Sequence, residues 1–296
     1  HFNHFRDGED QVDAHRYVLY VGHQYSDTVR FFSEWELEHS LAGDGKPGEV
    51  ELEQAYIEWD FADNHSLLAG QFLIPVGFLN ETHEPDTFYG TERNQVEKNI
   101  IPTTWWETGV MLKGELAPGL SYNAAFHSGL STDDGGKVRG GRQKSAKASA
   151  EDFAYTARLK YTAVPGLELA ASVQLQSDIT QGAGIGDTEG LLLEAHAAYN
   201  TGPFGLRALW AEWDIDGETF ALNGRDQQSG WFVEPSYKLT PDLGFFVRYS
   251  EFNNAEGDSS ADASKIWDYG LNYWLNERVV FKADYSNNVD KAGDDN

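Results

Sequence analysis

Apolar and polar residues alternate along most of the chain in segments of about ten residues, the period of a strand and a length that carries a tilted strand across an apolar band. The segments are 14–22, 28–38, 51–60, 66–74, 105–113, 120–127 and 152–161, then 167–176, 191–199, 204–213, 231–239, 243–252, 265–275 and 279–286. In 28–38 one face reads Val29, Phe31, Ser33, Trp35, Leu37 and the other Arg30, Phe32, Glu34, Glu36, Glu38. In 152–161 the two faces are Phe153, Tyr155, Ala157, Leu159, Tyr161 and Asp152, Ala154, Thr156, Arg158, Lys160. A slip of one residue would exchange every apolar position for a polar one, so the pattern specifies the register. Three residues break it: Glu51 and Glu53 fall on the apolar phase and Leu209 on the polar one. The two glutamates are expected above the membrane.

The breaks carry the topology. Short ones hold turn chemistry, such as Ala117-Pro118-Gly119, Val164-Pro165-Gly166 and Thr240-Pro241-Asp242, where Pro presets φ and Gly accepts a positive one. Long ones, at 42–50, 75–104, 128–151, 177–190, 214–230 and 253–264, alternate with them. Short turns on one side and long loops on the other are the pattern of an outer-membrane barrel, whereas Greek-key connections of a sandwich would mix the two. Residues 1–5 read as the end of an earlier strand and 289–296 as a further outer loop. With an even strand number required, the pattern predicts one all-β domain over 1–296, a 16-stranded antiparallel transmembrane β-barrel whose last strand is absent from the chain.

Composition changes the picture only in part. The mean hydropathy is negative, which in a barrel is uninformative because half of each strand faces water. Nine Trp, 14 Tyr and 17 Phe are many for a chain with 24% charged residues, and Trp and Tyr favour membrane interfaces; a carbohydrate-binding β protein would share the enrichment. No stretch approaches the roughly 20 apolar residues of a spanning helix. There is no Cys, hence no disulfide and no thiolate metal site, and no leader at the start, as expected after removal of a signal peptide. A net charge of −26 argues against nucleic acid and suits divalent cations at acidic outer loops.

Three stretches in order and spacing carry a family resemblance: DAHRYVLYVGHQYSDTVRFFSEWELE at 13–38, EQAYIEWDF at 53–61 and LLAGQFLIPVGFLNET at 67–82, with ERNQVEK at 92–98. Over about the first 110 residues the chain resembles the phosphate-selective porin O and P family; the later hairpins agree in pattern only. The resemblance implies a homotrimeric, 16-stranded outer-membrane porin for passive diffusion of small hydrophilic solutes or ions, without cofactor or enzymatic activity, surrounded by outer-membrane lipid and lipopolysaccharide. It further implies that the third outer loop, 75–104, folds into the lumen as the constriction. There Arg93 and Lys98 are the expected solute-facing cations, and Glu92 and Glu97 their partners. The chain departs from the family in charge: Lys and Arg total 22 against 48 Asp and Glu. Weak selectivity, not a dedicated phosphate pore, is the expectation.

The inward phase sorts the pore charges. Near the short, periplasmic ends lie Arg30, Lys113, Arg158, Lys160, Arg207 and Lys238, opposed by Glu58, Asp60 and Glu168; further outward lie Glu34, Glu36, Glu38, Glu107, Asp152 and Asp284. The pore is therefore read as acidic toward the outside and basic toward the periplasm. The bland reading is that these groups keep the lumen wet and pair across strands. The nine His show no close metal spacing, so lone residues such as His127 and His196 are read as polar lining; Asp214-Ile215-Asp216-Gly217 lacks the remainder of a calcium loop, and the basic, Gly-rich 136–147 lacks phosphate-loop order. Two other classes are weighed. A barrel enzyme would need an outward Ser and His at the lipid boundary, and a sheath or receptor for a protein partner would need a plug or a very long loop.

Overall fold

The computed structural model describes residues 1–6 and 8–289, so the outer loop expected at 289–296 lies almost wholly outside the described residues. Sixteen strands are present among them. Two are stubs: β1 (Phe2–Asn3) pairs with β2 (Gln11–Val12) as a separate hairpin. The others are β3 (Arg16–Gln24), β4 (Val29–Glu38), β5 (Val50–Ala62), β6 (His65–Leu73), β7 (Trp106–Ala117), β8 (Leu120–Ser128) and β9 (Phe153–Tyr161). They continue as β10 (Leu167–Gln176), β11 (Glu189–Thr201), β12 (Phe204–Asp216), β13 (Gln227–Thr240), β14 (Leu243–Asn253), β15 (Ser264–Asn276) and β16 (Val279–Asn288). Short helices α1 (Gln95–Asn99) and α2 (Glu218–Leu222) lie in long connections. No helix among the described residues is long and apolar enough to cross a membrane, which says nothing about crossing by strands.

Strands β3 to β16 form one 14-stranded sheet in chain order, every neighbour antiparallel, so each hairpin expected from the alternation is present. The fifteenth strand expected at the start is instead the two-residue stub β1. β3 and β16 stand at the two ends of the order and are exposed on both faces over most of their length, while β9 to β13 alternate exposed and buried residues. The alternation has the predicted phase: Tyr155, Leu159, Leu169, Val173 and Leu193 are exposed, and Thr156, Arg158, Ser172, Gln174 and Glu194 are buried.

The three pattern-breaking residues have structural reasons. A bulge in β5 shifts its pairing with β4 between Glu34 and Trp35, so Glu51 faces Glu36 across the strands and Glu53 meets His83. Leu209 points inward into an apolar cluster with Val96, Ile100 and Ile101 of the connection 74–105 and Phe232 of β13. The outward-phase Trp106, which the alternation would set against lipid, is 2% exposed, with Lys144 Nζ 5.5 Å above its ring.

Candidate pore and constriction

The connection between β6 and β7 does not leave the sheet. Its ends are tied by the buried Asn80, whose Nδ2 donates to the carbonyls of Ile74 and Trp105 at 2.7 Å and whose Oδ1 accepts from Trp105 N at 2.7 Å. From there the segment crosses the inner face. Glu81 pairs with Arg158 of β9, and Arg207 of β12 donates to the Thr87 carbonyl at 3.2 Å. At the far side Lys282 of β16 donates to the carbonyls of Pro85, Phe88 and Gly90, and Asp284 accepts from Thr91 N and Oγ1, each at 2.7 Å. The segment thus reaches from β6 and β7 to β9, β12 and β16 across the sheet, which an excursion over the rim would not do.

Helix α1 anchors the return. Asn94 Oδ1 caps it by accepting from Glu97 N at 2.8 Å, and Val96, Ile100 and Ile101 are fully buried. Trp213 Nε1 of β12 donates to the Ile100 carbonyl at 2.9 Å. Burial of three such side chains contributes roughly 1.5–3 kcal/mol each, comparable with the cost of ordering the backbone of a short helical turn.

The cations gather on two loops. Arg139, in the turn Val138–Gly141, donates to the carbonyls of Lys98 and Thr103 at 2.6 and 2.5 Å, and Arg142 donates to the Thr104 carbonyl at 2.7 Å. Burial, then the neighbouring Arg142 and Arg93, bring Arg139 down to about 9; burial also lowers Arg142, Arg93 and Lys98 below their ordinary values. Arg93 Nη1 is buried without a hydrogen bond. Against this group stand the carboxylates of β4 and β5: Glu34 and Glu36 are buried, Gln54 Nε2 donates to Glu34 at 2.5 Å, and Arg16 lies 3.4 Å from Glu36 and 3.8 Å from Glu38.

On the short-turn side of the crossing segment is a cavity of about 430 Å³ lined by Phe78, Glu81, Arg158, Lys160, Glu168, His196 and Arg207 among others. His196 Nδ1 is 2.6 Å from Glu194, and Lys160 Nζ is 3.8 Å from Glu168.

The comparisons with known proteins fit this architecture. The profile of the family described as phosphate-selective porin O and P matches residues 2–293. The chain belongs to that family. It is therefore an outer-membrane porin of Gram-negative type, a channel for small solutes. An uncharacterized protein of Aquifex aeolicus (strain VF5) is 27% identical over 307 residues, spanning 93% of this chain and 70% of the relative. Among solved structures, the anion-selective porin from Comamonas acidovorans has a TM-score of 0.64 at 11% identity, covering 92% of this chain and 78% of that one. OmpF of Salmonella typhi, in complex with daunomycin, has a TM-score of 0.62 at 14% identity, with 96% and 86% covered. OmpT of Vibrio cholerae, in its trimer form, has 0.61 at 11%, with 97% and 85% covered. At these identities the likeness is one of fold.

Within the porin, the expected site residues divide. Arg158, Lys160 and Arg207 come together at the cavity. Arg30 is held elsewhere, between Glu58 at 2.8 Å and Asp60 at 2.7 Å, and Lys113 lies 2.7 Å from the same Glu58, so these cations are neutralised across strands. Lys238 is exposed and stacks 4.9 Å over Trp274. Glu107 does not face water: it is fully buried and accepts from Trp105 Nε1 at 3.0 Å and Ser128 Oγ at 2.6 Å. Glu97 is not the partner of a loop cation either. It turns into the segment, accepting from Leu79 N and Asn94 Nδ2 at 2.7 Å each, and burial raises its pKa despite those bonds. Glu92 is exposed with His1 Nδ1 at 3.4 Å.

Alternation missed Arg139 and Arg142, which lie in a loop with no period. It also missed His83, whose neighbours are distant in sequence. The Gly-rich basic stretch 136–147 was the available signal for the two arginines.

Proposed function

We propose that the segment 75–104 is the porin's constriction and that solutes pass between its cations and the β4–β5 carboxylates. The observation that carries this reading is the bridge from β6 and β7 to Lys282 and Asp284 of β16 across the inner face. Arg93, Lys98, Arg139 and Arg142 on one side, and Glu34, Glu36 and Glu38 on the other, set a field across the passage. Beneath it the cavity with Arg158, Lys160 and Arg207 favours anions. The pore on this reading is acidic outward and basic inward, admits small hydrophilic solutes and ions by passive diffusion, and is weakly selective, because cations and carboxylates oppose each other at the narrowest point. No chemical step is involved and no cofactor is required.

The exposed faces carry Trp35, Tyr155, Leu159, Trp210, Trp231 and Trp267, a surface suited to outer-membrane lipid, including lipopolysaccharide, and to neighbouring copies in a homotrimer. Planar-bilayer recording tests the assignment. Deleting part of 84–92 should raise single-channel conductance. Unchanged conductance would place the narrow section elsewhere.

A further inference from the structure

At one point the crossing segment meets the β4–β5 wall through a cluster of ionisable groups that channel selectivity does not explain. His83 and Glu53 are 2% and 1% exposed, and His83 Nε2 lies 2.7 Å from Glu53 Oε2 and 3.4 Å from Glu84 Oε1. Apart from that mutual contact, neither His83 Nε2 nor Glu53 Oε2 has a hydrogen-bond partner. His83 Nδ1 lies 3.1 Å from the carbonyl oxygen of Asn80, which only accepts, so Nδ1 carries the ring's hydrogen. In the neutral ring Nε2 is then a lone pair aimed at carboxylate lone pairs. That is a stable arrangement only with a positive charge between them.

Glu34, Glu36, Glu53 and Glu84 surround the ring, and the guanidinium groups within reach are Arg16, shared with Glu38, and Arg93. Carboxyl groups outnumber guanidinium groups around the buried ring, and burial makes each uncompensated charge costly. One ligand atom from each of Glu34, Glu53 and His83 lies within 4.8 Å of the others, and Glu36, His83 and Glu84 form a second such set around the same ring. A histidine whose Nδ1–H is fixed by a backbone carbonyl presents Nε2 in the way metal-binding histidines do.

We propose that His83, Glu53 and Glu34, with Glu36 and Glu84 at the edge, bind one divalent transition-metal ion that staples the segment 75–104 to β4 and β5. An imidazole with carboxylates favours zinc or manganese over calcium or magnesium, which prefer all-oxygen shells. Loading widens the 2.7 Å gap slightly, since ligands at about 2.0–2.2 Å from a tetrahedral ion are further apart than that. The proposal goes beyond the channel reading and does not depend on it, because its readout is bound metal and not conductance.

The folded chain in detergent is stripped with chelator, titrated calorimetrically with zinc, manganese or calcium, and assayed for metal content. One zinc per chain, with calcium much weaker, is the expected result. Two rim groups, His1/His15/Glu92 and Asp13/His15/His39, also offer ligands, so a His15→Ala background is used throughout. In that background His83→Ala should lower zinc affinity by more than about 100-fold, and the isosteric Glu53→Gln by at least about 10-fold. Pulsed EPR of the copper-loaded His15→Ala chain, which needs no change in the cluster, should report one coordinated imidazole. Absence of stoichiometric metal in that chain, metal retained after both substitutions, or copper without an imidazole would each overturn the site and leave a protonated His83 as the bridging charge.

Discussion

Leu159 and Lys160 are adjacent in β9, yet the sheet sends one to lipid and the other to the cavity. Replacing Leu159 with Arg should cost about 2–4 kcal/mol if the residue sits near the bilayer midplane, read as lost unfolding free energy in lipid vesicles. Lys160→Gln should leave stability nearly unchanged and weaken anion preference. Equal stability costs at both would mean the register is wrong. The same scale explains where alternation misleads. Thr156 is on the polar phase but is 2% exposed, its hydroxyl 2.8 Å from His127 Nε2, so inward does not always mean wet. The fully buried Glu107 makes the same point.

At the scale of an element, the crossing segment is held by one side chain at its neck and by distributed contacts along its length. Asn80→Ala would leave the carbonyls of Ile74 and Trp105 without that donor in a buried place. A loss of about 1–3 kcal/mol is expected, together with noisier open-channel current. Quiet current with unchanged stability would count against Asn80 as the neck of the loop. Replacing Arg93, Arg139 and Arg142 together with Gln should move the reversal potential toward cation preference, since Arg16 alone would then offset the Glu34, Glu36 and Glu38 wall. No shift would show that solutes do not pass this pair of surfaces.

Across the whole molecule, on the function proposed above, the charge of −26 does not translate into a cation pore, because the inner surface pairs and separates its charges. Arg30 and Lys113 are held by Glu58 and Asp60, while Arg158, Lys160 and Arg207 gather around a cavity that Glu81 and Glu168 also line. Selectivity set by such fields should fade with salt, as screening acts over about 8 Å at physiological ionic strength. Reversal potentials at low and high salt test this: strong anion preference that persists in concentrated salt would instead mark a dedicated phosphate path.

The strand register, the hairpin order and, Trp106 excepted, the outward-facing set were legible in the sequence, because a period of two with one face in lipid leaves no alternative pairing. The family, too, was legible in the first third of the chain. What only the tertiary structure decided lies where chain segments distant in sequence meet. The Glu51 and Glu53 anomaly needed the bulge in the β4–β5 pairing, and Leu209 needed the apolar cluster that residues of the connection 74–105 complete. Arg139 and Arg142 sit in a loop with no periodicity, and their partners are carbonyls of another loop, so no local pattern announces them. His83 is ordinary in sequence. It becomes the centre of a charged cluster only when a long loop turns inward, because burial and proximity are properties of the folded chain and not of its order.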